Sequence, residues 1–471
     1  MMRLFLFAAA VTAASAAAQT VALPPEPEAR FDLTDTPQAP PPLPEAEAAP
    51  AAAIPEMSSA ELLQQPALLR RALDSAILLR DTQAIRLLLP LYRQLPDPEP
   101  ILLGYAQARL HTADGRLHEA ERIYRRLLAE HPHLAPVRLD LVQVLLHNRR
   151  NREAAAEIET LRQQPDLPAA VNTLLNRFDL ALAQQQKWQF AANVQYEQDD
   201  NINQAPQQSV LHTPTGTWRF PERQSAHGLA YGFSAAKTTP LAGHWAWHAS
   251  AQVSGRFFWD NHDYDDLIVR SQTGPTYRTA RQEWQLLPFY ERRWFGTRPY
   301  SQHYGAQIRY NRVLNPKWTL RTAVQYGHKE HDTRTFLDGG SLLTSATVSY
   351  RSSPQQNWLL GMDYSRESAR DPSAAYRRIG LRAGWQRITA SGWEGTLQLG
   401  TAQRRYRAPD WFLDVPRRDR EYWGYASVGN RKWQWKGLMP KLAWSSSYQS
   451  SNHMLHRNRK NRIFIEVGKQ F

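Results

Sequence analysis

From Trp188 to the last residue, apolar and polar side chains alternate in short runs, and the connections between those runs are by turns short and long. A period of two is the mark of a strand with one apolar face. Trp188, Phe190, Ala192, Val194 and Tyr196 form one such stripe; Trp318, Leu320, Thr322, Val324 and Tyr326 form another. Trp358, Leu360, Met362 and Tyr364 repeat it, as do Ile379, Leu381, Ala383 and Trp385, and Leu442, Trp444, Ser446 and Tyr448. Several stripes carry Trp at or near one end and Tyr at the other. Eight residue steps cover roughly 26 Å along a strand, near the height of the apolar band of a membrane barrel. Aromatics at both ends then predict two interfacial girdles.

The connections carry this reading further. Lys237-Thr-Thr-Pro-Leu, Thr279-Ala-Arg-Gln, Leu314-Asn-Pro-Lys, Ser352-Ser-Pro-Gln-Gln, Thr389-Ala-Ser-Gly and Lys436-Gly-Leu-Met-Pro read as short turns. Longer polar connections fall between them at 197–223, 260–266, 292–300, 329–340, 365–375, 406–420 and 450–459. Tight turns on one side and long loops on the other are how bacterial outer-membrane barrels are built, with an even number of strands. The count here is about fourteen, an antiparallel transmembrane β-barrel over residues 188–471. The last strand fits. Ile463, Ile465, Val467 and Phe471 share one parity, expected to face lipid, with Phe471 as the end recognised on insertion; Arg462, Glu466, Gly468 and Gln470 share the other.

Composition agrees with this fold. Mean hydropathy is −0.59, and no apolar run after the leader is long enough for a membrane helix. Barrel strands, which alternate, look polar on average. All 16 Trp lie at or beyond Trp188. A net charge of +13 points to acidic partners, and for an exported chain lipopolysaccharide phosphates are simpler partners than nucleic acid. With 0 cysteines the chain has no disulfide, no thiol chemistry and no lipid on cysteine.

The N-terminus explains the export. One positive charge, a short apolar stretch and Ala16-Ala17-Ala18 fit a secretory signal peptide over 1–18, cut after Ala18. Residues 19–57 are rich in Pro, Ala and Glu and too poor in apolar side chains to fold, so they read as a disordered periplasmic linker.

Over residues 58–185 the period becomes helical. Gly115, Ala120, Tyr124 and Pro132 have the spacing of a tetratricopeptide repeat: a small residue at the turn, a small residue where helices touch, an aromatic knob and a proline stop. About 34 residues on, Ala154 and Ile158 match the contact and knob positions. Arg149 stands there in place of the glycine, and Pro165 comes one residue early. A looser copy runs through Ala84, Leu88 and Pro96. We therefore expect a TPR-like helical domain in the periplasm, which would present a groove to a protein and not a catalytic centre.

No catalytic grouping is persuasive, and the chain reads as a protein that is not an enzyme and needs no cofactor. His328, Glu330, His331 and Asp332 lie close in sequence, but where a strand runs into a loop polar residues are ordinary. Asp263, Asp265 and Asp266 lack a full calcium loop. The basic clusters Arg417, Arg418, Arg420 and Arg457, Arg459, Lys460 are expected to face lipopolysaccharide or solvent. No Gly-x-Ser-x-Gly elbow or phosphate loop is present.

A signal peptide, a Pro-rich linker, a short TPR-like domain and a barrel together resemble the surface lipoprotein assembly modulators, the Slam proteins. The most specific local match is Asp199, Asp200, Asn201, Ile202, Asn203, Gln204 and Ala205, similar to an Asp-x-Asn-x-Asn-x-Ala stretch near the start of that family's barrel. The resemblance implies an outer-membrane translocator that brings particular lipoproteins, or related haem- or iron-acquisition proteins, to the cell surface. The repeat domain would hold the client, and the barrel would offer a polar lumen or a sheet edge that opens. Outer-membrane lipid, lipopolysaccharide and the barrel insertion machinery are the other partners expected. A polysaccharide-export porin or a solute channel is the alternative. The first would carry many more repeats, and the second has no need of a helical domain.

Overall fold

A computed structural model describes residues 58–471 apart from 166, 204, 206–209, 214–215, 220, 410–413, 436–437, 454–455 and 471. The expected leader and linker lie outside the described residues, as does Phe471.

The helical part begins with α1 (Ser59–Leu63), capped by a reciprocal pair in which the Ser58 backbone N–H donates to Glu61 and the Glu61 N–H donates to Ser58 Oγ. Three hairpins follow: α2 (Pro66–Leu78) with α3 (Thr82–Tyr92), α4 (Pro100–Ala113) with α5 (Leu117–Glu130), and α6 (Ala135–His147) with α7 (Asn151–Arg162). Each hairpin turns on one residue in the left-handed region: Arg80 at φ 58°, Gly115 at 72° and Arg149 at 63°. The same bond closes each turn. Asp81 N–H donates to Ala76 O, Arg116 to His111 O and Arg150 to Leu145 O, at 2.8–2.9 Å. The missing glycine at Arg149 is thus met by forcing an arginine into that conformation, at a cost of about 1–2 kcal/mol. Its guanidinium donates to Gln185 Oε1 at 3.1 Å.

Ala120, Tyr124 and Ala154 are wholly buried, with Ile158 and Leu161 beside them, and Pro132 is exposed just after α5. In the first hairpin the buried pair is Ile85 and Leu89 rather than Ala84 and Leu88, which are only half-buried. The copy is one residue out of step: Ala84 and Leu88 lie 36 residues before Ala120 and Tyr124, while 35 residues separate the turn at Arg80 from that at Gly115 and so place the pair at Ile85 and Leu89. Buried Asp140 ties the hairpins together, accepting from Tyr105 Oη at 2.9 Å, Arg109 at 3.0 Å and Arg80 at 3.4 Å. Burial, and then the Asp140 carboxylate, hold the Tyr105 phenol protonated well above its usual range. Finally α8 (Ala169–Gln186) buries Leu175, Phe178 and Leu182 against the third hairpin and leads into the first strand.

The rest is one closed antiparallel sheet of fourteen strands. In order they are β1 (Gln189–Asp199), β4 (Ala226–Pro240), β5 (Trp245–Phe258), β6 (Asp266–Arg278), β7 (Gln282–Phe295), β8 (Arg298–Asn315), β9 (Trp318–His331), β10 (Gly339–Ser353), β11 (Gln356–Glu367), β12 (Tyr376–Ile388), β13 (Trp393–Pro409), β14 (Pro416–Asn430), β15 (Met439–Ser451) and β16 (Asn458–Gln470). Strands β2 (Val210–Thr213) and β3 (Gly216–Arg219) make a separate hairpin inside the first long connection. At four residues each they are too short to show a period.

The apolar stripes lie on the outside. Leu360 is 65% exposed, Ile463 72% and Ile465 59%, a wall that only lipid can cover. Trp284 lies tilted against Tyr310 with ring centroids 4.1 Å apart, Trp318 against Tyr350 at 4.6 Å, and Trp245 edge-on to Tyr277 at 5.3 Å, all at the short-turn end. Tyr422 with Tyr448 and Tyr196 with Trp259 form the girdle at the other end.

Two connections depart from the expected lengths. Residues 292–300 are not a long loop: β7 and β8 run on to a two-residue turn at Gly296 and Thr297, both with positive φ. Polar residues there belong to strands that continue beyond the apolar band. Conversely, the turn placed at 436–440 is part of a longer connection from Asn430 to Met439 that includes a short 3₁₀ turn.

Candidate functional site

Three features of the structure bear on what a polypeptide could do here. The first is the junction of helices and barrel. The hairpin turns of the second and third repeats face the short turns of the barrel. Ala280 N–H donates to Asn148 Oδ1 at 3.4 Å, and His244 Nδ1 lies 3.2 Å from the Asn148 carbonyl. Gly115 faces the Arg281 guanidinium so closely that a Cβ there would sit 2.7 Å from it. At the opposite end of the α4–α5 hairpin a groove of about 470 Å³ opens between Ile101, Gly104, Ile123, Leu127 and His131. The groove thus lies at the end of the hairpin remote from the turn that meets the barrel.

The second feature is the lumen. Inward-facing positions are polar and pair across strands, Arg382 with Asp363, Arg378 and Arg404 with Glu421 and Arg270 with Glu291, or along one strand, Arg417 with Asp419. From sequence, Arg417 and Lys460 are expected to face lipopolysaccharide or solvent; in the structure they pair with Asp419 and Asp199. They point inward because they share the parity of Asp419 and Arg462, whose neighbours on alternate positions face lipid.

The third is the Asp199–Ala205 motif at the long-loop end of β1. Asn201 clips one residue at both backbone atoms: Ala205 N–H donates to its Oδ1 and its Nδ2 donates to Ala205 O, each at 2.8 Å. Asn203 does the same across the loop, with Nδ2 on Glu222 O at 2.7 Å and Oδ1 accepting Gln224 N–H at 3.1 Å. Only an amide side chain brings donor and acceptor together in this way. Ile202 is buried with Phe258, Tyr264 and Phe295. Asp199 Oδ1 accepts from Asn201 N–H at 3.0 Å while Oδ2 accepts from Lys460 Nζ at 2.6 Å. Asp200 is exposed, with Gln198 at 3.3 Å. The cavity beneath the motif measures about 20 Å³, room for a water and not for a ligand. The motif ties the loop to itself and to the closing strand.

The side-chain clusters weighed in the sequence do not converge. Alternation sends His328 and Glu330 to the outside, while His331 turns inward onto Asp338 and Asp332 pairs with Arg292. Asp265 accepts from Phe258 N–H and Asp266 holds Arg293. Among the described residues no three His, Asp or Glu side chains gather as metal ligands.

Residues 188–471 match a family model described as surface lipoprotein assembly modifier, and residues 55–158 match the N-terminal TPR repeats of the same family. This chain belongs to the surface lipoprotein assembly modifier family. Surface lipoprotein assembly modifier 1 of Haemophilus influenzae is 33% identical over 87% of this chain and 86% of its own length. Surface lipoprotein assembly modifier 1 of Neisseria meningitidis serogroup B is 32% identical over 87% and 84%. The hemophilin secretion modulator of Acinetobacter baumannii is 23% identical over 87% and 86%. As a family member the chain is an outer-membrane barrel with a TPR region. Among solved structures, a bacterial polysaccharide outer membrane secretin covers 61% of this chain at 11% identity and a TM-score of 0.35, too distant a likeness to carry an argument.

Proposed function

We propose that this protein delivers a surface lipoprotein, or a related secreted haem- or iron-binding protein, across the outer membrane. The single observation that carries the reading is the junction. One chain joins a groove-bearing repeat domain to the short-turn mouth of a barrel and holds it there through Asn148, His244 and Ala280. Short turns are periplasmic in bacterial barrels, so the helical domain at 58–185 lies in the periplasm and its α4–α5 groove faces incoming clients. Its repeat packing rests on Gly115, Ala120, Tyr124, Pro132 and Ala154, and the closing strand presents Ile463, Ile465 and Val467 to lipid. The relatives' names, surface lipoprotein assembly modifier and hemophilin secretion modulator, support the client class. Outer-membrane lipid, lipopolysaccharide and the insertion machinery remain partners in this reading.

The test is protease shaving of intact cells with and without the protein, followed by mass spectrometry of lipoproteins. At least one lipoprotein or secreted client is expected to lose surface exposure when the protein is absent. An unchanged surface sinks the proposal. Removing 58–185 alone is expected to cut delivery by about tenfold or more; full delivery by the truncated chain would remove the groove from the mechanism.

A further inference from the structure

The barrel is not closed evenly. Strand β12 pairs with β13 over thirteen residues, β1 with β4 over eleven and β15 with β16 over eleven. Among the described residues the seam between β1 and β16 has five pairs, from Ala191 with Gln470 to Gln195 with Glu466, all at the short-turn end. Beyond them residues 196–199 stay paired to β4 and residues 458–465 include β16 positions still paired to β15, but the two strands have no ladder with each other. Side chains span the gap instead. Arg462 pairs with Glu197, and Lys460 Nζ lies 2.6 Å from Asp199 Oδ2. Both carboxylates are buried, Glu197 at 2% exposure, and Arg256 approaches Glu197 at 4.0 Å.

The outer face of this stretch carries Tyr196, Ile463 and Ile465, all exposed. It thus belongs to the wall that meets lipid. Backbone N–H and C=O groups at that depth find no partner in hydrocarbon, and an edge strand with free groups is a template for another strand. Salt bridges through long side chains can part without breaking a ladder, whereas every other seam would have to lose ten or so residue pairs.

We propose that the long-loop half of the β1–β16 seam is a strand-acceptor site, where an extended segment of the client adds to the edge of β16 at 458–465 as the Arg462–Glu197 and Lys460–Asp199 pairs separate. This deepens the proposed function and rests on it. The inward side of the added strand meets acids from β1 and bases from β16, so the site fits a segment with alternating apolar and polar residues whose polar face carries both signs. Asp199 belongs to the latch and to the Asn201–Asn203 loop at once, which makes that loop the element that registers opening.

The test uses the full chain, whose lack of native cysteine leaves only introduced pairs to react. Glu197→Cys with Arg462→Cys is joined by a short bis-maleimide across the open half of the seam. The matched control joins Asp363→Cys with Arg382→Cys, an ion pair between fully laddered strands. Joining the first pair is expected to lower delivery of the client found by shaving at least tenfold relative to the same variant left unjoined, whereas joining the control pair leaves delivery at the level of its own unjoined variant. A photo-crosslinker at Ile463 is expected to capture that client, while one at Val324 on β9, seven strands away across the barrel, does not. Full delivery by the joined seam overturns the proposal. Should shaving find no client, the functional reading fails separately, and hydrogen exchange of the purified chain in nanodiscs decides the seam. Amides at 458–465 are expected to exchange at least tenfold faster than those of β12, and equal protection overturns the acceptor edge.

Discussion

Individual residues set the local stability of both halves. Tyr124 is wholly buried between hairpins, with Tyr105 edge-on at 6.2 Å. Tyr124→Ala is expected to cost the helical domain about 3–5 kcal/mol, seen as an earlier helical transition in urea by circular dichroism. Asn201→Ala removes both clips on Ala205, and the Ala205 amide should exchange roughly tenfold faster, in line with about 1–2 kcal/mol for the lost bonds. His456, in the connection between β15 and β16, lies tilted against the His453 ring with centroids 4.7 Å apart. Burial first, then the Arg417 guanidinium, with His453 and Arg404 adding to it, push its pKa down to about 3. A histidine depressed in the folded state contributes fully above its unfolded value near 6.5, and that contribution is lost as pH falls from there toward 3. Between pH 7.5 and 5 the protection factors of the His456 and Arg457 amides, corrected for the slower intrinsic exchange at lower pH, should therefore fall progressively, and His456→Gln should flatten that dependence.

At the level of elements, the repeat turns and the barrel turns depend on each other. Gly115→Val would strain a left-handed turn and strike Arg281. It is expected to cost about 1–2 kcal/mol from the backbone alone and to lower the yield of an Asn148→Cys with Ala280→Cys disulfide across the junction. The glycine was legible as a turn, since the spacing to Ala120 and Tyr124 is local. Its second task was not, because Arg281 lies far along the chain and nothing in a repeat pattern points outside the repeat. The lapse at Arg149 has the same origin: a consensus expects glycine, while the structure accepts a strained arginine whose turn is held by neighbours. Strands were legible where lipid enforces alternation. They were misjudged at 292–300, where the sheet rises above the apolar band and polar side chains pair through the backbone as well as apolar ones do.

For the whole molecule, orientation is the main consequence. An epitope placed in the connection between β9 and β10 should be reached by antibody on intact cells, and one in the 389–392 turn only after permeabilisation; the reverse would invert the membrane assignment. Architecture could be read in the sequence because the period of two recurs from strand to strand around the barrel and the helical repeat returns three times, so that single errors cancel. The seam could not. Which strands lie side by side at closure depends on how the sheet curves back on itself, and the short ladder leaves no mark on the alternation of β16. That uneven seam also gives the molecule a weak direction under load. Pulled by its C-terminal end in a force experiment, β16 should peel from one neighbour and a five-rung remnant of the other before any other strand yields, so the barrel would unravel as a ribbon from one edge rather than rupture at once.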